Sequence, residues 1–193
     1  EEVAQYGAAS RLALVTMVVT SILYAVLPPL IARQHARQEK HQLERILRAG
    51  ATLTGVISLP IFVLFVVAPE WTLGLVYGGF YADAGAVLAL LAAGLFVNVI
   101  TGMRGNVLMM TGHERTELVI SLVGAALNVG LCVLGAVYAG MTGVALAAMS
   151  AMMIQCLLEA LAVRRVLGIW THASAHSLGD IKRLFDVRIA RHD

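Results

Sequence analysis

Three ionisable side chains interrupt or border long apolar stretches of this chain, and they define the chemistry open to it: Arg11, Arg104 and Glu159. An arginine in apolar surroundings pairs with phosphate or carboxylate through two parallel N–H bonds, whereas a site for cations needs carboxylates at the same depth. Arg11 lies about one and a half turns after Tyr6. Arg104 directly follows an uncharged run over 84–103. Glu159, roughly one turn before Arg164 and Arg165, reads as an interfacial ion pair with them or as a snorkelling side chain. With two arginines and no mid-span carboxylate, a cavity built from these residues favours anions.

Neutral polar residues gather on faces when placed at about 100° per residue. Tyr6, Ser10, Thr20, Ser21 and Tyr24 fall within an arc of about 100°. Asn98, Thr101, Gly102, Gly105 and Asn106 fall within about 140°, with Arg104 about 60° beyond Thr101. Glu117, Ser121, Gly124, Asn128 and Gly135 make a stripe of about 60°. Two readings of these faces stand side by side. Small and amide residues let helices pack closely and bond across their interfaces; alternatively, the faces line a water-filled cavity. The cavity reading makes Arg11, Tyr24, Asn98, Arg104, Asn106 and Asn128 the candidate substrate contacts. Gly143, Ala147 and Ala151, spaced by four, read as packing.

Other site chemistries find no motif here. There is no P-loop, G-x-G-x-x-G, G-x-S-x-G or H-E-x-x-H pattern. The six histidines, His35, His41, His113, His172, His176 and His192, all fall in connections. His113 with Glu114 and Glu117 lacks a third ligand at matching spacing, so a solvated loop is expected there rather than a metal site. Cys132 and Cys156 lie within apolar runs and suggest neither a disulfide framework nor a zinc site. No catalytic set is visible.

The elements that carry these residues are membrane spans. Apolar residues make up 59% of the 193-residue chain, charged residues 13%, and the mean hydropathy is +0.81. A soluble domain runs near 45–50% apolar and about 25% charged, so soluble and disordered classes are excluded. The net charge of +2 gives no reason to expect nucleic acid. A spanning helix needs about 20 apolar residues. Charge-free runs cover 12–32, 49–69, 84–103 and 118–158. The last is twice the needed length, and Gly140-Met141-Thr142-Gly143 at its middle supplies a turn. The expectation is therefore an all-α polytopic membrane protein with five spans, near 6–32, 49–69, 84–107, 118–139 and 143–163, within a bundle over 1–169. A basic tail follows over 170–193.

Lysine and arginine set the orientation. Twelve of the 14 fall in the 33–48 loop, the 111–117 loop and the segment from Arg164 onward, while the intervening connections hold none. This places the N-terminus outside and the C-terminus in the cytoplasm. Pro28, Pro29 and Pro60 predict kinks. Trp71, Tyr77, Phe80 and Tyr81 read as interface anchors in an outer connection. In the tail, Ser177 and Asp180 resemble a capping box before Leu178, Ile181, Leu184, Phe185 and Ile189. That segment is either a short interfacial helix or a frayed basic end.

Several segments, in order along residues 1–170, resemble the polysaccharide flippases of the multidrug/oligosaccharidyl-lipid/polysaccharide exporter superfamily. The opening Glu1-Glu2-Val3-Ala4-Gln5-Tyr6-Gly7-Ala8-Ala9-Ser10-Arg11-Leu12 is similar to the segment before an outside-to-inside helix in that family. Leu27-Pro28 with Ile31-Ala32-Arg33 is similar to its helix-ending proline. Leu75-Val76-Tyr77-Gly78-Gly79-Phe80-Tyr81 resembles its "fG..Y" connection. Met110-Thr111-Gly112-His113-Glu114-Arg115 resembles its "tG.er" loop, and Gly140-Met141-Thr142-Gly143-Val144-Ala145-Leu146-Ala147 its "G..GaAlA" turn.

The resemblance implies an alternating-access transporter of two six-helix lobes, with this chain forming most of the second lobe and an N-terminal lobe preceding it. It also implies the bacterial cytoplasmic (inner) membrane and an undecaprenyl-pyrophosphate-linked oligosaccharide as cargo, such as an O-antigen or capsule repeat unit, besides membrane lipids. Relatives that bind such cargo use cationic cavity residues; Arg11 matches the Arg of the family's "A.rl" segment, with a structural and a cargo role both open to it, and the resemblance implies no metal or nucleotide cofactor. Rival readings are a cation-coupled drug antiporter, disfavoured by the missing mid-span carboxylate, and a non-transporting scaffold for glycan assembly. A membrane-embedded glycan enzyme is weaker still, since the outer connections offer only Glu70 and Asp83 as acids.

Overall fold

Where the structure describes them, the uncharged runs are mostly helical, as backbone groups in lipid must be satisfied within their own segment. The computed structural model describes residues 2–18, 20, 21, 27–29, 31–33, 37 and 40–168. Tyr24 and the 170–193 tail, including its capping box, lie outside the described residues. No strand occurs among the described ones, and the chain is an all-α polytopic membrane protein.

The elements are α1 (Glu2–Ala13), continued by a 3-10 turn (Leu14–Met17), α2 (Lys40–Val67), α3 (Pro69–Tyr77), a second 3-10 turn (Gly79–Ala84), α4 (Gly85–Thr101), α5 (Arg104–Met110) and α6 (Glu114–Leu167). Three stretches among the described residues are long and apolar enough to cross a membrane: His41–Val67, Gly79–Thr101 and Glu114–Leu167. The last is two limbs rather than one rod. Ala139 and Gly140 leave helical geometry, Gly140 with φ of 55°, and the chain folds back on itself there. Gly135 and Gly143 meet backbone to backbone, and the Cys132 thiol donates towards the Val144 carbonyl at 3.9 Å. Farther along, Gln155 reaches Gly124. A β-carbon at Gly135 or Gly143 would overlap the opposite backbone, which is why glycine is needed at this crossing.

Helix α4 is the hub, packing on α1, α2 and α6. Gly94 admits the backbone of Met149, and Phe62 of α2 stacks on Phe96 with centroids 4.2 Å apart. One apolar core holds Leu73, Val87, Leu88, Ala92 and Ala145 at the end of the bundle near α3. A second holds Ile31, Leu43, Leu47, Val107, Leu108 and Val163 at the end near α5. A side-chain-to-backbone bond ties α2 to the turn after α1: buried Ser58 of α2 donates to the Thr16 carbonyl at 3.2 Å. That carbonyl belongs to the 3-10 turn, whose tighter winding leaves carbonyls outside the regular helical ladder.

The structure departs from the expected outlines in three places. The third helix stops at Thr101 rather than running to 107, because Gly102 takes φ of 81° and Met103 is also non-helical. Residues 69–84, expected as a connection, wind into α3 and a 3-10 turn, with Pro69 at the first helical position and Glu70 in the first turn. Trp71 and Phe80 remain exposed there. Helix α2 runs unbroken through exposed Pro60 and starts at Lys40, a full turn or more before the apolar run.

Candidate functional site

The break at Gly102 decides where Arg104 goes. A backbone with φ of 81° and extended ψ is essentially glycine-only, and it turns the chain so that α5 begins at Arg104. The Arg104 side chain is thereby carried inward, and only 1% of the residue is exposed. Its Nε donates to Glu159 Oε2 at 3.3 Å and its Nη2 to Asn98 Oδ1 at 3.2 Å. Glu159, 8% exposed, accepts a further bond at Oε1 from Gln155 Nε2 at 3.0 Å. The sequence reading that paired Glu159 with Arg164 and Arg165 is replaced by this contact: one helical turn separates Glu159 from those arginines, but the buried face of its limb turns it towards α5.

A buried guanidinium and carboxylate cost several kcal/mol each to desolvate, which the pair offsets only when further bonds satisfy both groups. Asn98 and Gln155 do so in part, leaving Arg104 Nη1 without a partner among the described residues. The same contacts remove the option of Arg104 snorkelling to a headgroup, since its charge is committed to a partner within the bundle.

Around this pair lies a cavity of about 220 Å³, lined by Asn98, Gly102, Arg104, Gly105, Asn106, Glu117, Met152, Gln155, Cys156 and Glu159. Glu117, on the first limb of α6, accepts from Ser121 Oγ at 3.1 Å and presses on Gly105, where a β-carbon would come within 2.8 Å of its Oε1. A second cavity of about 230 Å³ adjoins it. Ser10, Leu91, Gly94, Gly124, Asn128 and Met149 are among its walls, and Met152 and Gln155 line both cavities.

Of the six residues singled out from sequence, Asn98, Arg104 and Asn106 meet in the polar cavity. Asn128 faces the apolar one and accepts from the Cys132 thiol at 3.1 Å. Arg11 joins neither. It stands on the exposed face of α1 with Leu14, Val15 and Val18, with no side-chain hydrogen bond or ion pair among the described residues. Tyr24 lies outside the described residues. Reasoning from sequence missed Glu159, Gln155 and Cys156 as members of the cluster. A usable signal existed: Arg104 and Glu159 each sit one residue past the end of a charge-free run, hence at similar depth on two spans.

No group of three or more His, Cys, Asp or Glu suited to a metal occurs among the described residues. Helices long and apolar enough to cross a membrane, a glycine-broken span and a polar cavity inside the bundle together describe a multi-pass membrane protein. Residues 3–183 match the family model of the lipid II flippase MurJ, and the chain belongs to that family. Its members are transporters of lipid-linked sugars across the membrane. Comparison with curated proteins and with solved structures gave no match.

Proposed function

We propose that this chain forms part of a flippase that carries a polyprenyl-pyrophosphate-linked glycan from the cytoplasmic to the outer leaflet of a bacterial inner membrane, by alternating access. The family description favours lipid II as that cargo over the O-antigen or capsule repeat unit implied by the local motifs. Five crossings, an external N-terminus, a cytoplasmic C-terminus and a partner lobe complete the reading, supported by the distribution of lysine and arginine.

One observation carries the cargo chemistry. Arg11 is exposed and, among the described residues, unpaired, next to the exposed apolar Leu14, Val15 and Val18. An arginine facing acyl chains costs at least about 2.5–3.5 kcal/mol, so such a face is stable only where water or an anionic group meets it. A pyrophosphate offers the bidentate acceptor that a guanidinium fits.

The test is complementation. The chain joined to its partner lobe, expressed in one strain depleted of its lipid II flippase and in another lacking its O-antigen flippase, is expected to restore growth in the first and not surface polysaccharide in the second. Rescue of the second alone would reassign the cargo, and rescue of neither, with the protein present in the membrane, would count against flipping.

A further inference from the structure

The cavity beside Arg104 holds two carboxylates and one guanidinium, and its bonds are unevenly shared. Both oxygens of Glu159 have donors, Arg104 at one and Gln155 at the other. Glu117 has a donor, Ser121, at Oε1 only. Among the described residues its Oε2 is buried with no partner, and so is Nη1 of Arg104, the most deeply buried charged residue of them. With all three groups ionised the cavity carries one negative charge too many, in surroundings where an uncompensated charge is expensive. The remaining titratable group on its wall is Cys156, whose thiol donates towards Asn98 Oδ1 at 3.7 Å. Glu114 and Arg115, one turn earlier on the same limb, are exposed and do not line the cavity.

An occupant suited to this cavity must bring one positive charge, donate to Glu117 Oε2 and accept from Arg104 Nη1. A sodium ion brings the charge but donates nothing and would face a guanidinium. A proton on Glu117, with water bridging to Nη1, meets all three requirements, and the cavity is polar and large enough for water. We propose that the Glu117–Arg104–Glu159 cavity is a proton-binding site. The step is a simple protonation: a Glu117 carboxylate oxygen takes a proton from water, one O–H bond forms, and no electrons are exchanged.

The site also has a mechanical consequence. Glu117 stands on the first limb of α6, Glu159 on the second, and Arg104 on α5. An ionised Glu117 competes with Glu159 for the same arginine, while a protonated one leaves Arg104 to Glu159. Proton occupancy therefore sets which limb the glycine-broken span is held against. That this equilibrium drives cargo movement rests on the flippase reading above; the proton site does not.

The test separates the two. Infrared difference spectra of the purified protein, titrated with acid and base, are expected to show a protonated-carboxyl stretch at neutral pH that is lost in Glu117→Gln. The shorter Glu117→Asp, which withdraws the carboxyl from Gly105, should keep the band and shift its titration midpoint. Absence of the band from the parent protein, or its survival in Glu117→Gln, overturns the site. In liposomes, flipping of a pyrophosphate-linked lipid should respond to an imposed pH gradient in the parent and lose that response in Glu117→Gln. A response to sodium and none to pH overturns the coupling. The infrared band without any flipping would leave the site standing and remove the flippase reading.

Discussion

The junction of α4 with α5 and the last turn of α1 each hold one arginine, and they treat it in opposite ways. At the junction, a glycine-only backbone turn swings Arg104 into the bundle, where a carboxylate from another span and the Asn98 amide receive it, the carboxylate being held in turn by Gln155. On α1 no break occurs, and Arg11 stays on the outer face among valines and a leucine. The difference teaches that depth in the bilayer does not by itself decide what a charge is paired with. One arginine is consumed in holding three helical elements together, and the other keeps its full binding capacity for something outside the described bundle.

The comparison breaks most forcefully at Arg104. Arg104→Ala or Glu159→Ala leaves a charge buried without its counterpart, at a cost of about 3–5 kcal/mol. The expected result is a large fall in membrane protein level and in the unfolding midpoint of the purified protein. The double change Arg104→Met with Glu159→Leu should recover much of that loss, because a buried pair replaced by apolar groups of similar volume is often neutral or better. Failure of the double variant to recover stability would show that Arg104 is not held by charge pairing.

Next in size are the glycines that make the two regions differ. Gly102→Ala places a β-carbon on a backbone with φ of 81°, at about 1–3 kcal/mol. It should lower the unfolding midpoint less than Arg104→Ala, and the same change at exposed, positive-φ Gly112 tests whether strain alone, without the buried arginine, gives the effect. Gly143→Ala drives a β-carbon into the Gly135 backbone and forces the limbs apart, an overpacking cost of about 1–3 kcal/mol. Cross-linking of cysteines placed on the two limbs should fall in that variant and stay unchanged in Gly130→Ala, where a β-carbon meets nothing.

These cases also mark how far the sequence alone could be read. Charge-free runs of span length, and a run of double length with glycines at its middle, suffice to locate the long helices and the reversal near Gly140, because lipid forces backbone pairing to be local. The grouping of Asn98, Arg104 and Asn106 was legible as a shared face for the same reason: they lie close in sequence. The partner of Arg104 was not. Glu159 is 55 residues away, and which of several helices comes alongside depends on small-residue contacts such as Gly94 against Met149. The break after Thr101 was likewise hidden, since Gly102 within an apolar run reads equally well as a packing glycine.

The smallest effect on stability and the largest on transport is expected at Arg11. Because its side chain contacts nothing charged in the described bundle, Arg11→Ala should change stability by no more than about 0.5 kcal/mol. A lost charge-assisted contact to a cargo pyrophosphate is worth about 1.5–3 kcal/mol, or a tenfold to hundredfold decrease in flipping. Arg11→Lys keeps the charge but not the planar fork, so it should fall between the two. Unfolding midpoints and flipping of a pyrophosphate-linked lipid, measured on the same liposome preparations, decide the matter. If Arg11→Ala flips normally, the exposed arginine has no cargo role. If it instead unfolds as readily as Arg104→Ala, the contrast between the two regions fails, and Arg11 belongs with the residues that hold the protein together.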